Sequence, residues 1–360
     1  LIIWWFSLLH VFVLSLVFFD FNSNALALFF KTIGFCFLPF LITIISYSFW
    51  KKILGYIRWY KDEDKNFRFL TSLGFWISAF LFFLCSVGFL WFYNLFSFFG
   101  ILTIFSIVAY KELFESFISL YKYKIEIDNH DEAGNTFDKI NLYLLSTEFL
   151  FIFITFLVWI NLINIVRPMP IWWDDLWVYM NYPKIMWTSG EILKWISMAT
   201  WQVFTWIGFM FKSSTQAFFL NNLWWILSII SIAVIARGMF SSGKKSLINY
   251  SLLWAAIFYS MPMIIFEQAK DMKLDPALFF ITIISIYCCF YLLLKYKNEK
   301  LEKSFIFYVL VVWFLVWIAF SIKFTSLMLI LWLIGVVFYR FLWILWFSSF
   351  FSFFIWFFTK

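Results

Sequence analysis

An all-α, polytopic transmembrane protein of about eleven spans is the fold class the sequence predicts, and three observations carry it. The 360-residue chain is 64% hydrophobic and only 13% charged, where a soluble domain is roughly half apolar and about a quarter charged. Its mean hydropathy is +0.90, and its apolar runs approach about 20 residues, the length that crosses a hydrocarbon core about 30 Å thick. The runs are continuous and do not alternate. In a bilayer every backbone N–H must bond within its own segment or a closed barrel, so helices are selected.

The first span, 2–19, has no basic segment ahead of it and many spans behind it, which argues against a cleaved signal peptide. The second, 25–49, ends at a loop holding Lys51, Lys52, Arg58, Lys61, Lys65 and Arg68. The positive-inside rule places that loop in the cytoplasm. Spans 69–91 and 95–110 lead out and back to the polar stretch 111–141, with Asp128, Asn129, His130, Asp131, Glu132 and Gly134. The span 142–164 then carries the chain out, so 165–215 is external. Spans 216–236, 247–266, 277–294, 304–322, 326–339 and 341–359 complete the path. On this parity Arg237, Lys244, Lys245, Lys295, Lys297, Lys300 and Lys303 fall inside, an independent check, while 267–275 and the turn at Lys323 fall outside. Residues 195–211 are apolar enough to be a span, but a crossing there would put the later basic clusters outside. The stretch 178–214 is therefore expected to form helices along the outer membrane surface, with Lys184, Lys194 and Lys212 towards water and apolar faces in lipid or protein.

Other function classes fall away on composition. Cys36, Cys85, Cys288 and Cys289 lie in apolar runs without metal-type spacing, and His10 and His130 are isolated, which removes zinc and thiol chemistry. The net charge of +7 is split among short loops. It reads as a topology signal with anionic lipid headgroups as neighbours, and no nucleic acid is expected. The chain begins at Leu1 and its last span runs to Lys360, so it reads as a fragment truncated at its C-terminus.

Glycine is scarce, 11 residues or about 3% against an expected ~7%, while tryptophan reaches 23. Trp224, Trp225, Trp254, Trp313 and Trp317 fall well inside apolar runs, where small residues would let helices approach. One account covers both anomalies: a gene that uses UGA for glycine, as some bacterial lineages do, translated with UGA as tryptophan. An AT-rich genome explains the 55 phenylalanines but not the tryptophans, whose UGG codon is G-rich.

The external polar residues concentrate at two places. Arg167 to Lys184 follows directly on a span and contains the adjacent carboxylates Asp174 and Asp175 together with Tyr179 and Asn181. The pair sits where a lipid-linked substrate presents its polar end; as two acids in a solvated loop it needs no function. The second place, 267–276, contains Lys270, Asp271, Lys273 and Asp275. Asp275 before Pro276 also fits a helix N-cap, worth about 1 kcal/mol without any catalysis.

These residues resemble a known family. With Trp172 and Trp177 replaced by glycine, PIWWDDLWVYMNYPKIM is similar to the first external loop of polytopic GT-C glycosyltransferases, of the protein-mannosyltransferase-like superfamily, that use lipid-phosphate sugars. KDMKLDPALFF and IAFSIKFTSL resemble their second external motif and a later lysine-containing turn, here at Lys323. The resemblance covers about 145–330. Four spans precede the first catalytic-type loop, a departure that makes 1–110 an N-terminal extension, 111–141 a cytoplasmic loop and 142–360 the GT-C-like core.

The resemblance implies a cell-envelope transferase, multi-pass in the cell membrane, that moves a sugar from a polyprenyl-phosphate donor to a glycan, lipid or protein acceptor at the external face. An acceptor hydroxyl needs a carboxylate to take its proton; Asp174 is the first choice and Asp175 the second. The departing phosphate needs positive charge, from Lys270, Lys273, Arg167 or Lys323. Tyr179, Asn181, Lys184, Asp271 and Asp275 complete the expected substrate-binding set. Asp174 and Asp175 also suit Mg²⁺ or Mn²⁺ shared with phosphate oxygens, and the residues leave metal use open. Two alternatives are a secondary transporter, which needs ionisable groups near the midplane and for which Pro262 inside a span is the one supporting feature, and a scaffold without chemistry.

Overall fold

The computed structural model describes residues 23–90, 92, 94–122, 147–165, 181–189, 199–240, 250–262, 264, 272–295 and 303–335. Among them all regular structure is helical. The order is α1 (Ser23–Gly55), a 3₁₀ turn (Arg58–Asp62), α2 (Lys65–Phe89), α3 (Leu95–Val108), α4 (Tyr110–Lys122), α5 (Thr147–Ile165), α6 (Asn181–Ser189), α7 (Ala199–Met210), α8 (Ser214–Phe240), α9 (Tyr250–Tyr259), α10 (Asp275–Lys295) and α11 (Lys303–Ile322). A 3₁₀ turn at Phe324–Ser326 leads into a further helical stretch, 327–335.

Five of the described helices are long and apolar enough to cross a membrane: Phe30–Gly55, Lys65–Phe89, Ser214–Met239, Asp275–Lys295 and Phe305–Ile322. A sixth is possible if Leu95–Val108 and Tyr110–Ile118, which meet at an 82° bend, form one broken span. Phe149–Leu162 and Tyr250–Tyr259 are apolar but shorter. The expected spans 2–19 and 341–359 lie outside the described residues. Where 247–266 was expected as one run, the helix stops at Tyr259, ahead of Pro262; proline removes a helical N–H and clashes with the preceding turn. The bend at Ala109, at the end of the expected span 95–110, turns α4 away from α3, so that α4 occupies the start of the stretch the sequence reads as a polar loop.

Local chemistry sets these boundaries. Asp64 caps α2, accepting hydrogen bonds from the N–H of Asn66 (2.8 Å) and Phe67 (3.2 Å), and Asn94 caps α3 through Ser97 (3.0 Å), each an N-terminal donor with no helical partner. Lys52 donates to the carbonyl of Val108 (2.6 Å), placing a cation on the negative end of α3. Pro39 lies within α1 and has no N–H for the carbonyl four residues earlier, that of Phe35. Gln216 of α8 donates its Nε2 to that carbonyl at 2.9 Å. The backbone is thus satisfied by a neighbouring helix, as a low-dielectric surround requires.

The main core joins α1, α2, α3, α7, α8, α10 and α11. Trp224 packs between Phe204 (5.3 Å between rings) and Phe280 (5.8 Å), and Phe80 meets Phe98, Phe105 and Phe204. Trp313 and Trp317, by contrast, are about half exposed on the outer side of α11. Gly208 allows α7 and α8 to touch backbone to backbone, since a Cβ there would stand 2.3 Å from the Ala217 nitrogen.

Within the stretch expected along the outer membrane surface with its apolar faces in lipid or protein, Lys184 and Lys212 are exposed and α7 is buried in protein from Gln202 through Met210. It packs against α2, α6, α8 and α11. Its 12 described residues, about 18 Å of helix, carry no charge, which suits a helix enclosed by others.

Candidate functional site

Two charged contacts mark the ends of the α10–α11 hairpin. At one end Lys323, just past α11, donates to Asp275 Oδ1 at 2.6 Å. At the other, Lys295, the last residue of α10, donates to Glu63 Oε1 at 2.6 Å. A helix of 21 residues separates them, about 30 Å at 1.5 Å per residue, which equals the hydrocarbon thickness. The same alternation appears on α8, whose Gly238 lies beside Asn66 and Tyr287 at the Glu63 end. The charge count puts 51–68 with Lys295 and opposes them to Asp275 and Lys323, and the described residues have the same pairing of ends.

Asp275 does not serve as an N-cap. The N–H of Leu278 bonds to the carbonyl of Leu274 (3.1 Å), so the cap position falls on Leu274 and Asp275 stands in the first turn. There its carboxylate favours the positive end of the helix dipole and turns to Lys323. Both side chains are about one-third exposed, 34% for Asp275 and 31% for Lys323. Lys323 is held by the turn around it: its N–H bonds to Ala319 (3.1 Å) and its carbonyl accepts from Ser326 (3.0 Å). Lys273 is half-buried two residues before Asp275, between the buried anchors Met272 and Leu274.

Of the other expected site residues, Asn181 and Lys184 lie on α6, half-buried and exposed respectively, and α6 rests on α7 through the buried Met186. Arg167, Asp174, Asp175, Tyr179, Lys270 and Asp271 lie outside the described residues. The structure therefore brings together Asp275 and Lys323, separated by 48 positions. Among the described residues no group of three His, Cys, Asp or Glu side chains is placed to hold a metal. No family model, curated protein or solved structure matches the chain.

Sequence reasoning missed Glu63. Its side chain is 2% exposed and takes hydrogen bonds from Tyr291 (2.8 Å), Lys295 (2.6 Å) and Tyr308 (2.7 Å). A buried carboxylate is tolerable only when paired and bonded in this way. The available signal was an acidic triplet, Asp62, Glu63 and Asp64, inside the most basic loop. Beside it Tyr60 bonds to the Arg68 carbonyl (2.7 Å), Thr71 (2.6 Å) and Ser72 (3.1 Å), and burial pushes its phenol up from the usual tyrosine range.

Proposed function

We propose that the protein is a membrane glycosyltransferase that moves a sugar from a polyprenyl-phosphate donor to an acceptor hydroxyl at the external membrane face. The observation that supports it most is the 2.6 Å contact between Asp275 and Lys323, from two stretches that the charge count places outside and that resemble two separate motifs of the family. An ammonium carries three donors, so Lys323 can bond to Asp275 and still bind a phosphate oxygen. Asp275 is a positioning residue on this reading.

The chemistry is a single displacement. The acceptor oxygen attacks the anomeric carbon from the back while its proton passes to Asp174, with Asp175 second. The bond from the anomeric carbon to the phosphate oxygen breaks, and the electron pair leaves with the polyprenyl phosphate. Inversion results. Lys270, Lys273, Lys323 and Arg167 supply positive charge as it builds on the leaving oxygen. Should Asp174 and Asp175 hold Mg²⁺ or Mn²⁺, the metal would add charge stabilisation at the phosphate.

The test uses full-length protein in vesicles containing radiolabelled polyprenyl-phosphate hexose or pentose. Loss of label from the donor lipid with stoichiometric appearance in a second product supports transfer. Label that crosses the membrane still attached to an unchanged donor supports the transporter reading, which the fully buried Gln202 in α7 favours.

A further inference from the structure

At the Glu63 end of the bundle, α1, α2, α4 and the turn between α1 and α2 line an open cavity of about 580 Å³. Five cations line it, Lys51, Lys52, Lys61, Lys65 and Arg68, against two carboxylates, Glu112 and Glu115. The carboxylates are already engaged, Glu112 by Lys52 and Glu115 by Lys51, each at 3.7 Å. Lys61, Lys65 and Arg68 have no carboxylate partner among the described residues, and the Nε of Arg68 is buried without an acceptor. A buried donor in that state costs free energy unless a ligand completes it.

A second cavity, of about 530 Å³, adjoins the first and shares Tyr47, Lys51 and Phe69 with it. It is lined almost wholly by apolar side chains and follows α1 from Lys51 to Cys36, facing Leu223, Leu227 and Ile230 of α8. That path is about 22 Å along a helix, running from the end of the bundle towards its middle. The polar chamber therefore lies at headgroup depth and the apolar one in the hydrocarbon.

We propose that the two chambers form one site for a membrane lipid with an anionic phosphomonoester headgroup. The phosphate is held by Lys61, Lys65 and Arg68, Lys51 stands at the junction, and the chain lies in the groove between α1 and α8. Charge complementarity selects the head, since the three cations without carboxylate partners match a phosphate. The continuity of the apolar groove selects a lipid over a free anion. The site is at the opposite end from Asp275 and Lys323 and does not depend on sugar transfer.

The test measures binding to the purified full chain in detergent by native mass spectrometry, with four probes: dioleoylphosphatidic acid, undecaprenyl phosphate, dioleoylphosphatidylcholine and inorganic phosphate. A phosphate lipid is expected to bind at least ~10-fold more tightly than phosphatidylcholine or inorganic phosphate. Lys61→Gln with Lys65→Gln, both exposed positions, and separately Arg68→Gln are expected to remove most of that preference. Ile230→Trp, at a residue 38% exposed on the groove, should weaken lipid binding and leave inorganic phosphate unchanged. Equal binding of both phosphate lipids assigns a bilayer phospholipid, and preference for undecaprenyl phosphate assigns a carrier lipid. Binding of phosphatidylcholine as tight as either, or wild-type preference in the folded lysine double variant, overturns the proposal. So does inorganic phosphate binding as tightly as the lipids. Failure of the sugar-transfer assay leaves all of these readouts intact.

Discussion

Lys323 reaches across 2.6 Å to Asp275 and so ties the turn after α11 to the first turn of α10. Both side chains keep about a third of their surface in contact with the surroundings, so the pair contributes little to stability, about 1 kcal/mol or less. Lys323→Met and Asp275→Asn should each change unfolding in detergent by no more than that. Lys323→Met should nonetheless slow transfer by about 10-fold or more, because a cation facing a departing phosphate acts chiefly at the transition state. A stability loss equal to the activity loss would assign the pair a structural role.

Gln216 supplies the donor that Pro39 cannot. In Gln216→Leu the carbonyl of Phe35 loses its 2.9 Å partner in an apolar surround, and unfolding should become easier by roughly 1–3 kcal/mol. Pairing it with Pro39→Ala, which restores a local N–H, should recover part of that loss. A double-mutant cycle with no coupling between the two sites contradicts the account.

Glu63 gathers one ammonium and two phenols. Glu63→Ala leaves Lys295, Tyr291 and Tyr308 without their shared acceptor and should destabilise the protein by roughly 2–4 kcal/mol. Lys295→Met should cost at least as much, because it leaves a buried carboxylate charge without its ammonium partner, whereas the ammonium left by Glu63→Ala keeps about a third of its surface in contact with the surroundings. Thermal unfolding monitored by circular dichroism orders the two variants, and a clearly smaller loss in Lys295→Met would show that the buried charge is not the centre of the cluster.

Much of the helical path was legible because continuous apolar runs and basic loops are direct consequences of bilayer solvation. The runs 69–91, 216–236, 277–294 and 304–322 appear as long helices within a few residues of their expected bounds, and the run 25–49 appears as a helix that continues to Gly55. The interruptions were less legible. The bend at Ala109 and the stop at Tyr259 depend on which neighbour satisfies the backbone, and a single sequence does not display neighbours. For α7 the charge pattern argues against a crossing, and whether lipid or protein covers an apolar helix is decided by tertiary packing. At the candidate site, the sequence singled out Lys323 and Asp275 separately; that they touch, and that Glu63 anchors the opposite end, required the fold.

Gln202 is fully enclosed in α7, and neither of its amide atoms has a hydrogen-bond partner. An amide in that state is unfavourable, so Gln202→Met, similar in size, should raise stability by roughly 1–2 kcal/mol with transfer unchanged. Stabilisation accompanied by loss of substrate movement would instead place Gln202 on a transport path.

The central claim is sugar transfer with Asp174 as the base, and it is tested most directly by the single-turnover rate of Asp174→Asn in full-length protein supplied with donor and acceptor. The substitution keeps size and hydrogen bonding while removing basicity. The account predicts a fall of about 10² or more in rate with donor affinity nearly unchanged. Transfer by Asp174→Asn at the wild-type rate would contradict it.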